Sequence, residues 1–562
     1  MVFPAILPKV AARWLFTFYR AARKLRRHAF QLYYRNTATA KPPSTSAVSQ
    51  QQQQQAAAAF KTGAAIPDAA GRTVLCDMHG ALLRSTALFP YFMLVACEGG
   101  SLLRAMLLLC AFPLVWALGE QCLGGGGAGV RVMAFVTFAG LTPRDVDLVA
   151  RAVLPKHYME QLNALVYGSL WLPARRKVAV TSAPRVMSEW FLKEYMAADA
   201  VVGLELQHVT VGRRRYFTGL LSGPATGPEL MRQKALREAL GGEADDPMAD
   251  VGIISHSNPL DQLFVPYCKE VYVVSRESTE NDKLPRDKYP KPLIFHDGRL
   301  AFLPTPAAML AFFLFLPLGV ILSVIRINIG IALPYKINFA LGAVFGVRFR
   351  VSGLRAPPAP ADDGKQQQQR RGVLYVCTHR TLVDPIMLST ALQKPVPALT
   401  YSLSRLSELI APIRTVRLMR DRARDSETMS RLLKQGDLAV CPEGTTCREP
   451  YLLRFSPLFA ELADDMEPVA LDAQVTTLYG TTASGHKWLD PVAFFANPVP
   501  SYRVEFLGAV PREWTRAGGR TGVEVANWVQ RRLGEALEFE CTGLTRRDKY
   551  MMLAGNDGVV AK

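Results

Sequence analysis

A chain of 562 residues exceeds one ordinary domain, and at roughly 150 residues per folding unit it has room for about three or four. Lys and Arg number 66 against 48 Asp and Glu; the net charge of +18 points to an anionic partner and leaves open whether that is nucleic acid, membrane lipid or a phosphorylated metabolite. The nine cysteines form no Cys-x-x-Cys pair and have no His at ligand spacing, which argues against a zinc site or a disulfide framework and fits a reducing, cytosol-facing compartment.

Met1 to Phe30 intersperses Lys9, Arg13, Arg20, Arg23, Lys24, Arg26 and Arg27 with aromatic and aliphatic residues and has no acid. The segment reads as a basic amphipathic stretch (1–35), either an interfacial anchor or a mitochondrial presequence; the basic cluster follows the apolar residues, which argues against a cleaved secretory signal. Residues 36–70, with the Gln run 50–55, cannot bury a core and read as a low-complexity linker. Five β-rich runs follow: Thr73–Cys76, Val178–Val180, Ala200–Leu204, Val251–Ile254 and Val271–Val274. Longer helix-sized segments separate them, the rhythm of a doubly wound parallel α/β sheet over 71–300. An apolar insertion, Leu88–Ala96 and then the uncharged Ala105–Gly119, interrupts it as a cap or a membrane hairpin.

Ala301–Ile325 has no charged residue, which at about 1.5 Å per residue is enough to cross a hydrocarbon core of about 30 Å. Pro304, Pro306 and Pro317 would kink it, so a re-entrant or interfacial helix pair competes with a span in the segment 301–337. A second α/β domain, 338–562, has strand candidates at Arg348–Val351, Val373–Cys377 and Leu438–Cys441, with a Pro/Gln-rich surface loop at Ala356–Arg371.

The strand Val373–Thr378 runs into His379-Arg380-Thr381-Leu382-Val383-Asp384-Pro385. Asp as cap and Pro at the first helical position start a helix, and the turn before it can fold the carboxylate back onto the imidazole. That would make Asp384 the orienter of a His379 base; by itself the spacing fits a plain helix cap equally well. Arg414, Arg417, Arg420 and Arg422 cluster downstream, and guanidinium forks suit a phosphate, or equally a solvated face. Leu438–Cys441 then enters Pro442-Glu443-Gly444-Thr445-Thr446-Cys447-Arg448-Glu449-Pro450, a loop of small residues and backbone N–H groups where a phosphorylated substrate can rest.

The ordered set His379-x4-Asp384, the Arg417–Arg422 block, Pro442–Thr445 and Glu467-Pro468-Val469-Ala470 resembles the four blocks of the glycerolipid acyltransferases. The string Cys441–Pro450 is similar to the land-plant glycerol-3-phosphate acyltransferases of sn-2 type, which also carry a phosphatase-like domain ahead of the acyltransferase. The resemblance implies acyl-CoA as donor, glycerol 3-phosphate as acceptor and membrane lipid as surroundings, with no nucleic-acid partner, metal or cofactor. By position it makes His379 the general base and Asp384 its partner, with Arg417, Arg420, Glu443, Gly444 and Thr445 shaping the acceptor site. It places the chain in the endoplasmic reticulum, with the mitochondrion kept open by the N-terminus. A lysophospholipid acyltransferase is the nearest alternative.

Asp77-Met78-His79-Gly80 resembles the first motif of haloacid-dehalogenase-like phosphatases, with Thr181 in the place of their phosphate-binding Ser/Thr. His79 replaces the second Asp and Ser255 stands where a metal-binding acid is expected, so the resemblance implies a degenerate site. Asp261 is a nearby substitute at the wrong spacing, and Lys234 is a candidate for the third-motif lysine; an intact site would make the chain a bifunctional acyltransferase and phosphatase.

Overall fold

The structure, a computed structural model, describes residues 68–119, 127–222, 228–241, 248–255, 267–274, 283–354, 372–400, 408, 411–419 and 421–556, with no side-chain account of 228–234. The basic segment 1–35, the linker up to 67, the loop 356–371, Asp261, Arg420 and the side chain of Lys234 lie outside it. The chain forms two compact units, one of residues up to Pro292 with Pro304–Leu310 and one of Leu293–Leu303 with Ala311–Lys562.

The first unit contains β1 (Thr73–Asp77), β2 (Arg176–Pro184), β3 (Ala200–Leu204), β4 (Leu206–Val211), β5 (Arg214–Leu221), β6 (Ala249–Ser255) and β7 (Cys268–Val274). Five of these form a sheet in the order β3-β2-β1-β6-β7, parallel at every pairing, with β1 central. This is the doubly wound sheet expected from the spacing of the runs, each strand covering its predicted run. Val74, Leu75 and Cys76 are fully buried, as a parallel strand covered on both faces should be. The insertion after β1 is helical and includes α1 (Leu102–Leu118) and α2 (Ala128–Phe138), while β4 and β5 form a separate antiparallel hairpin. Ala69 is already buried, so the linker ends before residue 70.

Helix α3 (Pro306–Ala332), in the second unit from Ala311 onward, is long and apolar enough to cross a membrane by length and composition. Pro304 precedes it and Pro306 opens it, so of the three prolines only Pro317 lies inside, and of the two alternatives left open the stretch forms one continuous helix. It also runs past the uncharged stretch to include Arg326. One face, Phe312, Gly319, Ser323, Arg326 and Ile329, is buried. The Ser323 hydroxyl donates to Val492 O (2.9 Å), and a Cβ on Gly319 would meet Ala496 O at 2.8 Å. Arg326 donates to four carbonyls, Phe345, Phe495, Asn497 and Pro498, at 2.5–3.0 Å. The other face, including Leu314, Leu318, Ile321 and Val324, is more than half exposed.

The strands of this unit are β8 (Arg348–Ser352), β9 (Leu374–Cys377), β10 (Ala398–Thr400), β11 (Thr415–Arg417), β12 (Leu438–Val440), β13 (Tyr451–Leu452), β14 (Met466–Gln474), β15 (Ser501–Phe506) and β16 (Glu540–Cys541). Seven form a sheet, β11-β10-β12-β9-β14-β15-β8, parallel except for β14 against β15. β13 pairs separately with β16. Helices α4 (Asp384–Leu392) and α5 (Leu489–Phe495) contribute Met387, Leu388 and Phe494 to the core on one side of the sheet. Helix α6 (Gly522–Leu537) contributes Val525, Val529 and Leu533 to another core cluster, and α7 (Arg546–Ala554) follows.

Two domain boundaries read from the sequence need correction. A helix Tyr335–Val344 runs across the expected break at 337/338. Leu293–Leu303 belongs to the second unit, eight residues earlier than the boundary at 300/301, because backbone pairing of Arg299 and Ala301 with Tyr479 and Thr477 holds it there.

Arg326→Leu would leave four carbonyls, those of Phe345 and Phe495 half-buried and that of Asn497 buried, without this donor. We expect it to lower the unfolding free energy of the second unit by about 3 kcal/mol or more, with Arg326→Lys recovering only part. Thermal unfolding in detergent measures both, and an unchanged midpoint in the leucine variant refutes the role.

Candidate active site

β9 and β12 are parallel neighbours, so the loops at their carboxyl ends, His379–Val383 and Cys441–Pro450, emerge side by side. Thr378 fixes where the first turns: its hydroxyl donates to Leu471 O (2.7 Å) and accepts from Leu471 N–H (2.8 Å). The chain then folds around Asp384, which is fully buried and is the first residue of α4, one position inside the cap expected for it. Its Oδ2 accepts from Arg380 N–H (2.6 Å), its Oδ1 from the N–H (2.9 Å) and hydroxyl (2.7 Å) of Thr381 and from the Tyr502 hydroxyl. The remaining contact is Nδ1 of His379, 2.9 Å from Oδ2. A five-residue separation thus becomes a hydrogen bond through the turn, and the neighbouring carboxylate orients the ring with Nδ1 inward and Nε2 as its outer nitrogen. The His379 side chain is 18% exposed, so it meets solvent.

The second loop is tied to the first. Glu443 Oε1 accepts from His379 N–H (2.7 Å), Oε2 accepts from Leu453 N–H (3.0 Å), and Cys447 N–H donates to His379 O (3.0 Å). Glu443 is 4% exposed with both oxygens engaged, so it joins the two loops and does not face an acceptor molecule as expected. Burial pushes its carboxyl up to about 7, against the partial relief of those N–H donors and of His379 and Arg380. Gly444 adopts φ +68°, the left-handed conformation that glycine takes without strain. Thr445 is buried under Lys549 of α7, whose Nζ lies 3.4 Å from the Thr445 hydroxyl and donates to Thr446 O (2.6 Å). Burial lowers the Lys549 amine to about 8. Arg448 is held by the Thr481 carbonyl, the Tyr479 ring and Asp297.

Arg417 ends β11, three strand spacings from β9, or roughly 14 Å across the sheet. It is exposed and paired with Glu408 (2.8 Å), so an incoming phosphate would compete with that carboxylate. The structure therefore brings His379, Asp384, Glu443, Gly444 and Thr445 together and leaves Arg417 at the sheet margin. Tyr502 and Lys549, far along the chain and carrying no local motif, were missed by sequence reasoning; Thr381, inside the motif, was visible but unassigned.

His379, Asp384 and Cys441 offer donor atoms within 4.8 Å of one another. Asp384 is already saturated by N–H and O–H donors, and burial drives the Cys441 thiol well above its ordinary value, so the set suits a hydrogen-bonded dyad better than a thiolate-bound cation.

In the first unit Asp77, His79, Thr181 and Ser255 converge at the carboxyl ends of β1, β2 and β6, and all four are buried. The Thr181 hydroxyl lies 3.5 Å from His79 Nδ1. Burial lowers His79 to about 3, so the ring is neutral at physiological pH and is no proton donor of the imidazolium kind. A Cβ on Gly80 would stand 2.6 Å from Ser255 Oγ, so hydroxyl and backbone fill the place of the expected acid. Asp77 is the one carboxylate among the four, and with a hydroxyl in the place of the second acid the set is a poor fit for a magnesium ion.

Residues 73–274 match a family described as the HAD-like domain of RAM2-like glycerol-3-phosphate acyltransferases, and residues 360–478 match the acyltransferase family. The chain is 50% identical over 498 residues to glycerol-3-phosphate acyltransferase 1 of Arabidopsis thaliana, covering 87% of this chain and 82% of that protein. It is 44% identical over 483 residues to glycerol-3-phosphate acyltransferase RAM2 of Petunia hybrida, covering 86% and 97%.

Two measurements test this geometry. Tyr502→Phe takes one donor from buried Asp384 and loosens its hold on the His379 ring, so kcat should fall by roughly five- to tenfold with KM unchanged; an undiminished kcat refutes the coupling. For Glu443 the folded pKa of about 7 lies above the 4.5 of an unperturbed carboxyl, so its contribution to stability is full below 4.5 and is lost as pH rises through 7. The melting temperature of wild type relative to Glu443→Gln should therefore fall between pH 5 and pH 7.5; parallel curves would place the carboxyl in an ordinary environment.

Proposed function

The chain belongs to the plant glycerol-3-phosphate acyltransferase family, and from that premise we propose that it transfers an acyl group from acyl-CoA to the sn-2 hydroxyl of sn-glycerol 3-phosphate, giving lysophosphatidate. The 2.9 Å contact between His379 Nδ1 and Asp384 carries the reading. With Nδ1 committed to Asp384, Nε2 takes the proton of the acceptor hydroxyl as its oxygen attacks the thioester carbonyl. Collapse of the tetrahedral adduct breaks the C–S bond, and the imidazolium returns its proton to the leaving CoA thiolate. Asp384 stabilises the transient positive charge without leaving its own donors. A thioester is already activated, so base, orientation and charge stabilisation are the contributions required of the protein. Arg417, and Arg420 beside it in sequence, serve the acceptor's phosphate in this reading, Arg417 exchanging Glu408 for it.

The product keeps its phosphate. A neutral His79 in a buried site without a metal-binding acid gives Asp77 no means of accepting a dianionic phosphoryl group.

Membrane association is the third part of the proposal. The exposed face of α3 suits acyl chains, whereas its opposite face is seated on protein from Phe312 to Ile329, about 26 Å of helix. A helix so covered fits one leaflet from the side better than it fits a crossing, with the endoplasmic reticulum as the proposed site.

His379→Ala should reduce acyl transfer by ~10²–10⁴ while the protein still folds and pellets with membranes. Chromatography of products from labelled glycerol 3-phosphate reads the loss and the product together. Near-normal turnover removes His379 as base, a preference for lysophosphatidate as acceptor changes the substrate, and monoacylglycerol that disappears in Asp77→Asn makes the chain bifunctional.

A further inference from the structure

The helical insertion of the first unit carries apolar side chains that its own fold does not use. Along α1, Leu103, Met106, Leu107, Cys110, Leu114 and Leu118 recur at i, i+3, i+4, i+7, i+11 and i+15, one face of a helix. The leucines and methionine among them are 43–62% exposed, while the opposite face, Ala105, Leu108 and Val115, is buried. α2 runs back alongside: Arg104 near the start of α1 donates to Thr137 O (2.7 Å), and Gly129 sits against the Gly119 carbonyl. Phe135 is 54% exposed on α2, with Arg131 one turn before it.

The β4–β5 hairpin continues the same structure. Gly140 N–H donates to Phe217 O (2.9 Å), Phe217 N–H donates to Leu141 O (2.8 Å), and a Cβ on Gly219 would strike the Phe135 backbone at 2.9 Å. Beyond that anchor the hairpin is exposed on both faces and ends in Arg213-Arg214-Arg215, with Val211 beside them 62% exposed. No Asp or Glu occurs in 99–119, 127–140 or 206–221.

A stripe of large aliphatic residues left in water needs a cover, and five arginines on segments that themselves carry no Asp or Glu, with Glu98, Glu120 and Glu205 only at their borders, select one whose surface is negative and whose interior is hydrocarbon. The stripe is about 22 Å long, short of a hydrocarbon core, and its other face is seated on protein, so the helix lies in the plane of the surface. We propose that the α1–α2 hairpin and the tip of β4–β5 form a second membrane-docking face, carried by the first unit and selective for bilayers that contain anionic lipid. The proposal rests on the membrane association assigned to α3 and adds a contact independent of that helix.

The full chain, reconstituted into phosphatidylcholine vesicles with and without phosphatidylserine, tests it. Three variants each keep one accessible cysteine for an environment-sensitive fluorophore: native Cys110, native Cys541, or Leu318→Cys on α3, the remaining positions among Cys97, Cys110, Cys122, Cys441 and Cys541 being serine. The label at 110 should be quenched by doxyl-lipids, at least about twofold more with phosphatidylserine present, and the label at 541 should not. Replacing Arg213, Arg214 and Arg215 by Glu should abolish the phosphatidylserine dependence at 110, leaving the label at 318 quenched and acyl transfer in detergent unchanged. Quenching at 318 but not at 110 overturns the second face and spares α3; quenching at neither overturns the membrane reading itself. Shielding of 110 without quenching, together with cross-linking between copies, would show that protein covers the stripe and would also overturn it.

Discussion

The second unit's chemistry depends on one buried negative charge. Asp384 lies in a protein interior where an isolated carboxylate is prohibitive, and it is tolerated because the turn Arg380–Thr381 and the distant Tyr502 supply four N–H and O–H donors. Those donors also leave one direction open, toward His379 Nδ1. The bonds that make burial possible therefore fix the imidazole, and the remainder of the turn is shaped to deliver them. Thr378, bonded twice to Leu471, sets the point at which β9 gives way to that turn.

The loop after β12 is built on the same terms. Glu443 joins it to His379 through backbone N–H groups, Lys549 holds Thr445 and Thr446 from α7, and Arg448 is fastened to Tyr479 and Asp297. Buried ionisable groups in these positions act on the shape of the loop and not on substrate. Glu443 and Lys549 bond to backbone groups, which hold a loop in one conformation whichever side chains face the solvent. The HAD-like domain of the first unit likewise gathers buried polar residues, Asp77 with His79, Thr181 and Ser255.

How much of this was legible follows from the range of each signal. The parallel sheet of the first unit could be read because each strand is a short apolar run bounded by turn residues. The dyad could be read because strand, turn, Asp and Pro lie within a dozen residues. Tyr502 could not, since its role comes from the order β9-β14-β15, which places it 118 residues from its partner. Glu443 was taken for a substrate ligand because sequence shows an acid beside small residues and does not show two backbone donors closing on it. Pro304 and Pro306 were taken for kinks because their position relative to the start of α3 is a tertiary fact, whereas proline at a helix start is favourable.

The segment Leu293–Leu303 bears on how the two units can be separated. Asp297 accepts from Ala483 and Ser484 N–H and from the Ser484 hydroxyl, Arg299 pairs with Asp490 at 2.5 Å, and His296 Nδ1 lies 3.1 Å from Glu449. These eleven residues precede α3 in the chain yet fill part of the second unit's interior. A truncated protein begun at 301 or 338, where composition suggests the acyltransferase half starts, would strip the Asp297 carboxylate from Arg448 and the Arg299 guanidinium from buried Asp490. A separable catalytic half starts upstream of Leu293, and the nominal linker before α3 is better regarded as an internal strut of the half that follows it.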